Sequence, residues 1–322
     1  MPANSKKAVK DWVGVWFELL KERGFPTDVV LASSEPGSDQ ITKFKSYSHA
    51  QFDGVGLVIE HFRECGFDVQ PPKLPENFRG NWWSKIFGLF KNLRFVPVFG
   101  AKWKAYSASN QNQSQIGQYV FKVLSIQTSQ KIVEASRSAG VSVNSQLLWC
   151  LDQVLRTQWI KDSGPFYWML PINMRGAASE KLDTSNHASW IWVDSLKAKS
   201  ALEIQNQIKK RFQEGFHWGA WFGLNIGRFI GIRGMKFLLN QAAGIEEHWV
   251  GTFSNVGAWK LNADPVVIII PTVPSTPLSV GCVTVQNRMG LSLHIHPNLK
   301  VNKQELENWL NEWIGLASGD EK

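Results

Sequence analysis

Cysteine is scarce: three residues in 322, Cys65, Cys150 and Cys282, stand far apart with no Cys-x-x-Cys pair. A disulfide framework and a thiolate zinc centre are therefore not organising devices here, and a reducing compartment fits best. The first 24 residues are basic, but their apolar positions alternate with charges, so they lack the apolar stretch of a secretion signal. The expectation is a cytoplasmic protein. No run of 18 apolar residues occurs, which argues against an ordinary membrane-spanning helix. Charge is also sparse, 19% against 43% hydrophobic residues, the balance of a chain that folds around a core. Gly-x-x-x-x-Gly-Lys is absent and Gly54-Val55-Gly56 lacks the third glycine of a dinucleotide loop, so phosphate binding of those kinds is unsupported. Lys209-Lys210-Arg211 has no recognisable nucleic-acid fold around it, and no nucleic-acid partner is expected.

What the chain does have is a formal charge of +8, a pI near 9.3 and sixteen tryptophans. The charge suits phosphate-bearing ligands, an acidic carrier protein or an anionic membrane surface, and the plainer reading is a solvated basic exterior. Tryptophan favours interfaces and clefts as well as cores.

Periodicity predicts a helix over residues 8–23, stopped by Gly24 and Pro26, then strands over 28–32 and 41–47 around a turn-rich stretch, Ser33 to Ser38. After Gly54 the spacing of Val55, Leu57, Val58, His61 and Phe62 is helical. Residues 71–114 are aperiodic, with an aromatic interruption from Trp82 to Phe90, and read as a crossing linker between a shortened N-terminal lobe, 1–70, and a C-terminal lobe, 115–322. In the latter we expect a strand at 119–126, a helix at 128–138, and a second helix capped by Asn144. Strands are expected at 166–173, 188–193, 266–272, 278–285 and 291–295, and a final helix at 305–316. Strands and helices mix without strict alternation, which favours α+β over a doubly wound sheet. Five glycines spaced four apart, Gly215 to Gly231, read as a smooth helix ridge for close packing or for lying against lipid.

Chemistry concentrates in Ser48-His49-Ala50-Gln51-Phe52-Asp53-Gly54, where His-x-x-x-Asp-Gly falls between a predicted strand and a predicted helix. The composition alone yields about 0.02 such patterns by chance. Imidazole, with an unperturbed pKa of about 6.5, is the side chain suited to general-base work near neutral pH, and His49 is the candidate. Asp53, four residues on, is better placed to fix the turn than to orient the imidazole. Gly54 lets the backbone bend where a Cβ would obstruct it. The plainer reading is a histidine and an aspartate that cap a helix.

These residues resemble the chloramphenicol acetyltransferase-like superfamily, which includes peptide-synthetase condensation domains, plant acyltransferases and wax ester synthases. Leu170-Pro171-Ile172-Asn173-Met174-Arg175 looks like that family's Pro-x-Asn-x-Arg strand, and Thr252-Phe253-Ser254-Asn255-Val256-Gly257 like its Ser-Asn-x-Gly segment. Gly140 to Leu148 is similar to its Gly-Val-Thr-x-Asn-Asp helix start. Ser48 stands where the family often has a first histidine, and less chain precedes the motif than the family usually has.

The resemblance implies a two-lobed α+β sandwich that moves an acyl group from an acyl-CoA or carrier-protein phosphopantetheine thioester to a hydroxyl or amine. It implies His49 as base, Arg175 paired with Asp53, and Ser254 or Asn255 beside a substrate tunnel as an oxyanion partner. No metal or redox cofactor is implied. The acceptor is a small molecule or lipid, and self-association is left open. The reading from another class is a degenerate, non-catalytic fold that binds a lipid or a partner protein.

Among the remaining candidates, His294-Ile295-His296 puts two imidazoles on one strand face, a spacing compatible with metal ligation but short of a third ligand. His61, His187, His217 and His248 read as surface or satisfied core residues, and Cys150 as packing.

Overall fold

In the computed structural model, described for residues 11–34, 40–80, 82–94, 103–107, 117–160, 167–178, 182–195, 198–242 and 249–320, the chain forms two sheets with helices around them. The expected turn at 35–38 and His248 lie outside the described residues. Helix α1, Trp12–Glu22, is capped by Asp11, whose carboxylate accepts the N–H groups of Val13 and Gly14. Strands β1, Val29–Ser34, and β2, Ile41–Tyr47, pair antiparallel and run into α2, Gly54–Glu64. Residues 76–78 make a single 3-10 turn.

The aromatic segment expected as a brief interruption of a linker is a helix of 13 residues, α3, Trp82–Arg94. Its period is concealed because a glycine makes its closest approach: a Cβ on Gly88 would run into the Gly215 carbonyl.

Beyond it come β3, Tyr119–Val123, and the helices α4, Ile126–Ser138, and α5, Val143–Gln158. Ser142, not Asn144, caps α5, because the helix begins two residues earlier and the Ser142 hydroxyl accepts the Ser145 N–H at 3.2 Å. Strands β4, Tyr167–Asn173, and β5, Ala188–Asp194, lead into α6, Ala201–Gln213, which periodicity had not revealed.

The glycine ridge is not one helix. Gly215, at φ +75°, precedes α7, Phe216–Leu224, and Gly231, at φ +64° and ψ −175°, breaks α8, Gly227–Ala242, internally. The second is a conformation essentially reserved for glycine. These two glycines end and kink helices, so the other three line no continuous face.

The chain closes with β6, Gly251–Trp259, β7, Val266–Ile269, β8, Leu278–Val285, β9, Arg288–Ile295, and α9, Lys303–Ser318, the last with a capping box of Asn302 and Glu305. The larger sheet has the order β3-β9-β8-β6-β4-β5, with β6 parallel to both neighbours. Its core packs against α4, α5, α6 and α9, with Trp168, Leu148, Leu293 and Trp313 fully buried. The smaller sheet, β2-β1-β7, takes its third strand from far along the chain.

Side chains bridge the two sheets. Ser292 donates to the Ile268 carbonyl at 2.5 Å and His294 Nδ1 to the Ile270 carbonyl at 2.7 Å. Gly281 and Gly290 permit the approach, since a Cβ on either would strike a carbonyl of β7. His294 therefore joins sheets, which accounts for one of the two strand histidines without a metal. No helix among the described residues is long and apolar enough to cross a membrane.

Candidate active site

Strands β4 and β6 pair only at Trp168 with Gly251 and Met169 with Thr252, then separate. Pro171, with no N–H to donate, lies where β4 has already left β6. On the other edge β6 slips register against β8 between Asn255 and Ala258, where Gly257 takes φ +89° and the Asn255 side chain accepts its N–H at 2.9 Å. The turn from β2 to α2 is seated at this opening. A Cβ on Gly54 would lie 2.8 Å from Val256 Cγ1, so Gly54 is required for close packing on β6, not for a backbone bend. A Cβ on Gly56 would collide with the Thr184 carbonyl and come within 3.0 Å of the Arg175 guanidinium.

Asp53, 3% exposed, is the N-cap of α2 and accepts four hydrogen bonds. Oδ1 takes the Gly56 N–H at 2.6 Å and Arg175 NH2 at 2.9 Å; Oδ2 takes Arg175 NH1 at 2.9 Å and the His187 N–H at 2.8 Å. Arg175, just past β4 and 2% exposed, uses all five of its N–H groups. Two go to Asp53, and the others reach the Asp183 carbonyl at 2.6 Å, Asn173 Oδ1 at 3.0 Å and the Ser185 carbonyl at 2.7 Å. Burying two charges is costly unless every donor and acceptor is met, and here the bidentate geometry meets them. The pair thus ties α2, the end of β4 and the loop at 182–187 together.

His49 is held quite differently. It lies in the turn between β2 and α2, half-buried, with the Phe17 ring of α1 over it at 4.0 Å between centroids. A Cβ on Gly14 would come within 2.5 Å of the Ala50 carbonyl, so α1 sits tightly on the turn. Nδ1 is 2.8 Å from the Phe52 carbonyl, which can only accept, so Nδ1 carries the proton and Nε2 the lone pair. The Asn186 amide donates to the His49 carbonyl at 2.8 Å, while Asn186 Oδ1 accepts the Ala188 N–H. Burial pulls the imidazole pKa below its ordinary value, against smaller opposing effects of the Phe52 carbonyl and Asp53. A neutral imidazole whose Nε2 has no hydrogen-bond partner among the described residues can accept a proton.

Ser254 is buried on β6, and its Oγ lies 3.8 Å from where a Gly54 Cβ would be, directly beside the motif. Asn255 is only half-buried, and its side-chain oxygen is committed to Gly257. The structure thus brings His49, Asp53, Gly54, Arg175 and Ser254 to one opening. Sequence reasoning missed the loop at 182–187, and Asn186 in particular. No pattern marks it, because the Asp183 and Ser185 carbonyls act as plain backbone acceptors for Arg175, and the Asn186 amide serves His49, 137 residues away.

His187 is a core residue: fully buried, with its ring Nε2 on the Leu182 carbonyl at 2.9 Å. His217, also buried, donates to the Phe78 carbonyl at 2.8 Å, and burial pulls its pKa to about 4. Cys150 is buried with its thiol pushed up to about 12, far from the reactive range.

No family model matches the sequence, and no curated protein matches it. Solved structures do. The trichothecene 15-O-acetyltransferase of Fusarium sporotrichioides superposes with a TM-score of 0.55 at 12% identity, over 98% of this chain and 76% of that one. The cyclization-docking bidomain of EpoB from Sorangium cellulosum gives 0.54 at 12%, over 85% and 58%. The condensation domain of the monacolin K polyketide synthase MokA gives 0.53 at 11%, over 88% and 70%. The chain shares the fold of these three structures, here an α+β arrangement of a six-stranded and a three-stranded sheet with helices around them. The chain spans 58% to 76% of the length of these three structures.

Proposed function

We propose that this protein transfers an acyl group from a pantetheine thioester, acyl-CoA or a carrier-protein arm, to a hydroxyl or amine, with His49 as general base. The observation that carries the reading is the 2.8 Å contact of His49 Nδ1 with the Phe52 carbonyl, an acceptor only, which calls for the proton on Nδ1 and leaves the lone pair on Nε2. In the proposed step Nε2 takes the acceptor's proton as the acceptor oxygen or nitrogen attacks the thioester carbonyl. The C–S bond then breaks, and the departing sulfur receives that proton from the imidazolium. Ser254, next to Gly54, is the nearer candidate to stabilise the oxyanion through its hydroxyl. Asn255 would have only its amide N–H groups to offer.

Asp53 and Arg175 do not enter the chemistry, because their hydrogen bonds are spent on each other and on the backbone. Their part is to hold the turn that carries His49. The likeness of fold to an acetyltransferase and to condensation domains agrees with this assignment of chemistry. The test is a panel of acyl-CoA and acyl-pantetheine thioesters with hydroxyl and amine acceptors, following free thiol. Acceptor-dependent thiol release that disappears in His49→Ala supports the proposal. Release that persists in His49→Ala places the base elsewhere, and no release with any donor favours the non-catalytic reading.

A further inference from the structure

Fifteen large hydrophobic side chains are exposed among the described residues, and nine of them belong to only two helices, α3 and α8. On α8 they are Phe229 at 85% exposure, Phe237 at 62%, and Ile230, Ile232 and Leu238. On α3 they are Trp82 at 67%, Trp83 at 64%, Phe87 and Phe90. A solvated helix turns polar residues outward and apolar ones inward. Helix α8 is apolar on both sides: Met235 and Leu239 are fully buried against Val15 and Leu19 of α1, while Phe237 and Leu238 face out beside them.

Charge distinguishes the two helices as well. Helix α3 carries Lys85, Lys91 and Arg94, and α8 carries Arg228, Arg233 and Lys236; neither has an acidic residue, in a chain with 27 of them. Arg228 and Arg233 have no ion-pair partner among the described residues, whereas Lys236 reaches Glu22 at 3.2 Å. Bulky aromatics and aliphatics interleaved with cations are the composition of a helix that lies in the headgroup region of an anionic bilayer. A protein partner for so apolar a surface needs no such exclusion of acids.

We infer that α8, assisted by α3, is a peripheral docking surface for anionic lipid membranes. Helix α8 also leads inward to the site. Helix α8 packs on α1, and α1 lays Phe17 on His49. A docked membrane would therefore sit behind the helix that covers the imidazole, a suitable place from which a lipidic acceptor or donor could enter. This last link rests on the acyl-transfer reading; the docking itself does not.

The experiment is flotation of the intact protein with phosphatidylcholine vesicles, with and without phosphatidylserine, at low and physiological salt. Binding is expected to need phosphatidylserine and to weaken with salt. Phe229→Ser with Phe237→Ser, two exposed positions, should lower vesicle partition at least tenfold with an unchanged circular dichroism spectrum. Arg228→Gln and Arg233→Gln should each lower it about fivefold at low salt. Protein that stays in the soluble fraction under all conditions overturns the inference. So does equal binding to neutral vesicles, or a dimer in sedimentation velocity that the phenylalanine variants dissociate and that ignores lipid. His49→Ala should float like the wild type, so loss of catalysis and loss of docking are read separately.

Discussion

Two ends of one seven-residue turn are built on opposite principles. Asp53 accepts four hydrogen bonds and sits on an arginine with every N–H engaged. His49, four residues earlier, has both of its ring contacts on Nδ1, the shorter to the Phe52 carbonyl, an aromatic ring over its face, and an Nε2 without a hydrogen-bond partner among the described residues. The first arrangement is what a buried charge needs in order to be tolerated, the second what a proton acceptor needs in order to act. Rigidity at one end thus serves reactivity at the other, since a base must be held within a fraction of an ångström of its working position.

That contrast is testable by breaking each end in turn. His49→Ala should lower kcat by about 10²–10⁴ while thermal unfolding stays within a degree or two of wild type. A loss below about tenfold in steady-state assays would place the base elsewhere. Arg175→Leu should do the converse, costing about 3–5 kcal/mol in chemical denaturation because Asp53 is left charged and buried. If the variant unfolds at the wild-type midpoint, the pair is not what holds the turn. Gly56→Ala should cost about 1–3 kcal/mol, as its methyl group meets the Thr184 carbonyl and displaces the loop that cradles Arg175.

The most gradual effect expected is one of pH, and it comes from histidines outside the motif. Burial holds His217 and His296 at about 4. As pH falls below the unfolded value of 6.5, the unfolded chain takes up protons that the folded one refuses, so stability declines. The slope approaches about 1.4 kcal/mol per pH unit for each group until the folded pKa is reached. His217→Gln should flatten the loss between pH 6.5 and 4, measured by denaturation at several pH values; an unchanged slope would mean that His217 does not remain neutral. By contrast His49, whose pKa is also lowered, should keep the catalytic base neutral somewhat below pH 6.5, so that activity falls on the acid side of that value.

Much of the fold was legible from local pattern. Strands such as Leu278–Val285 and Ile41–Tyr47 announce themselves by β-branched alternation, and α9 by its amphipathic spacing. Helix α6 was overlooked although Ser200 and Glu203 mark its start, because its charged outer face, Lys209 to Arg211, drew the reading toward basic surface. Helix α3 was overlooked for a deeper reason. Its inner contact is a glycine against a backbone carbonyl, and periodicity counts large side chains. The five-glycine ridge failed for a related one: spacing shows where glycines recur, while only φ and ψ show which of them break the helix.

The sequence by itself determined the chemistry available: an imidazole at a strand-to-helix turn, a carboxylate placed to cap that helix, an arginine after an extended segment. These follow from residue type and local spacing, which hydrogen bonds within a few residues enforce. Only the tertiary structure decided that β4 and β6 part to admit the turn, that Gly54 is needed for contact with Val256, and that Asn186 and the carbonyls of Asp183 and Ser185 complete the site. Those partners are backbone groups or lone amides more than a hundred residues from the atoms they serve in the motif turn, or joined to them through Arg175. Backbone groups are the same at every position, so a one-dimensional pattern has nothing with which to mark them.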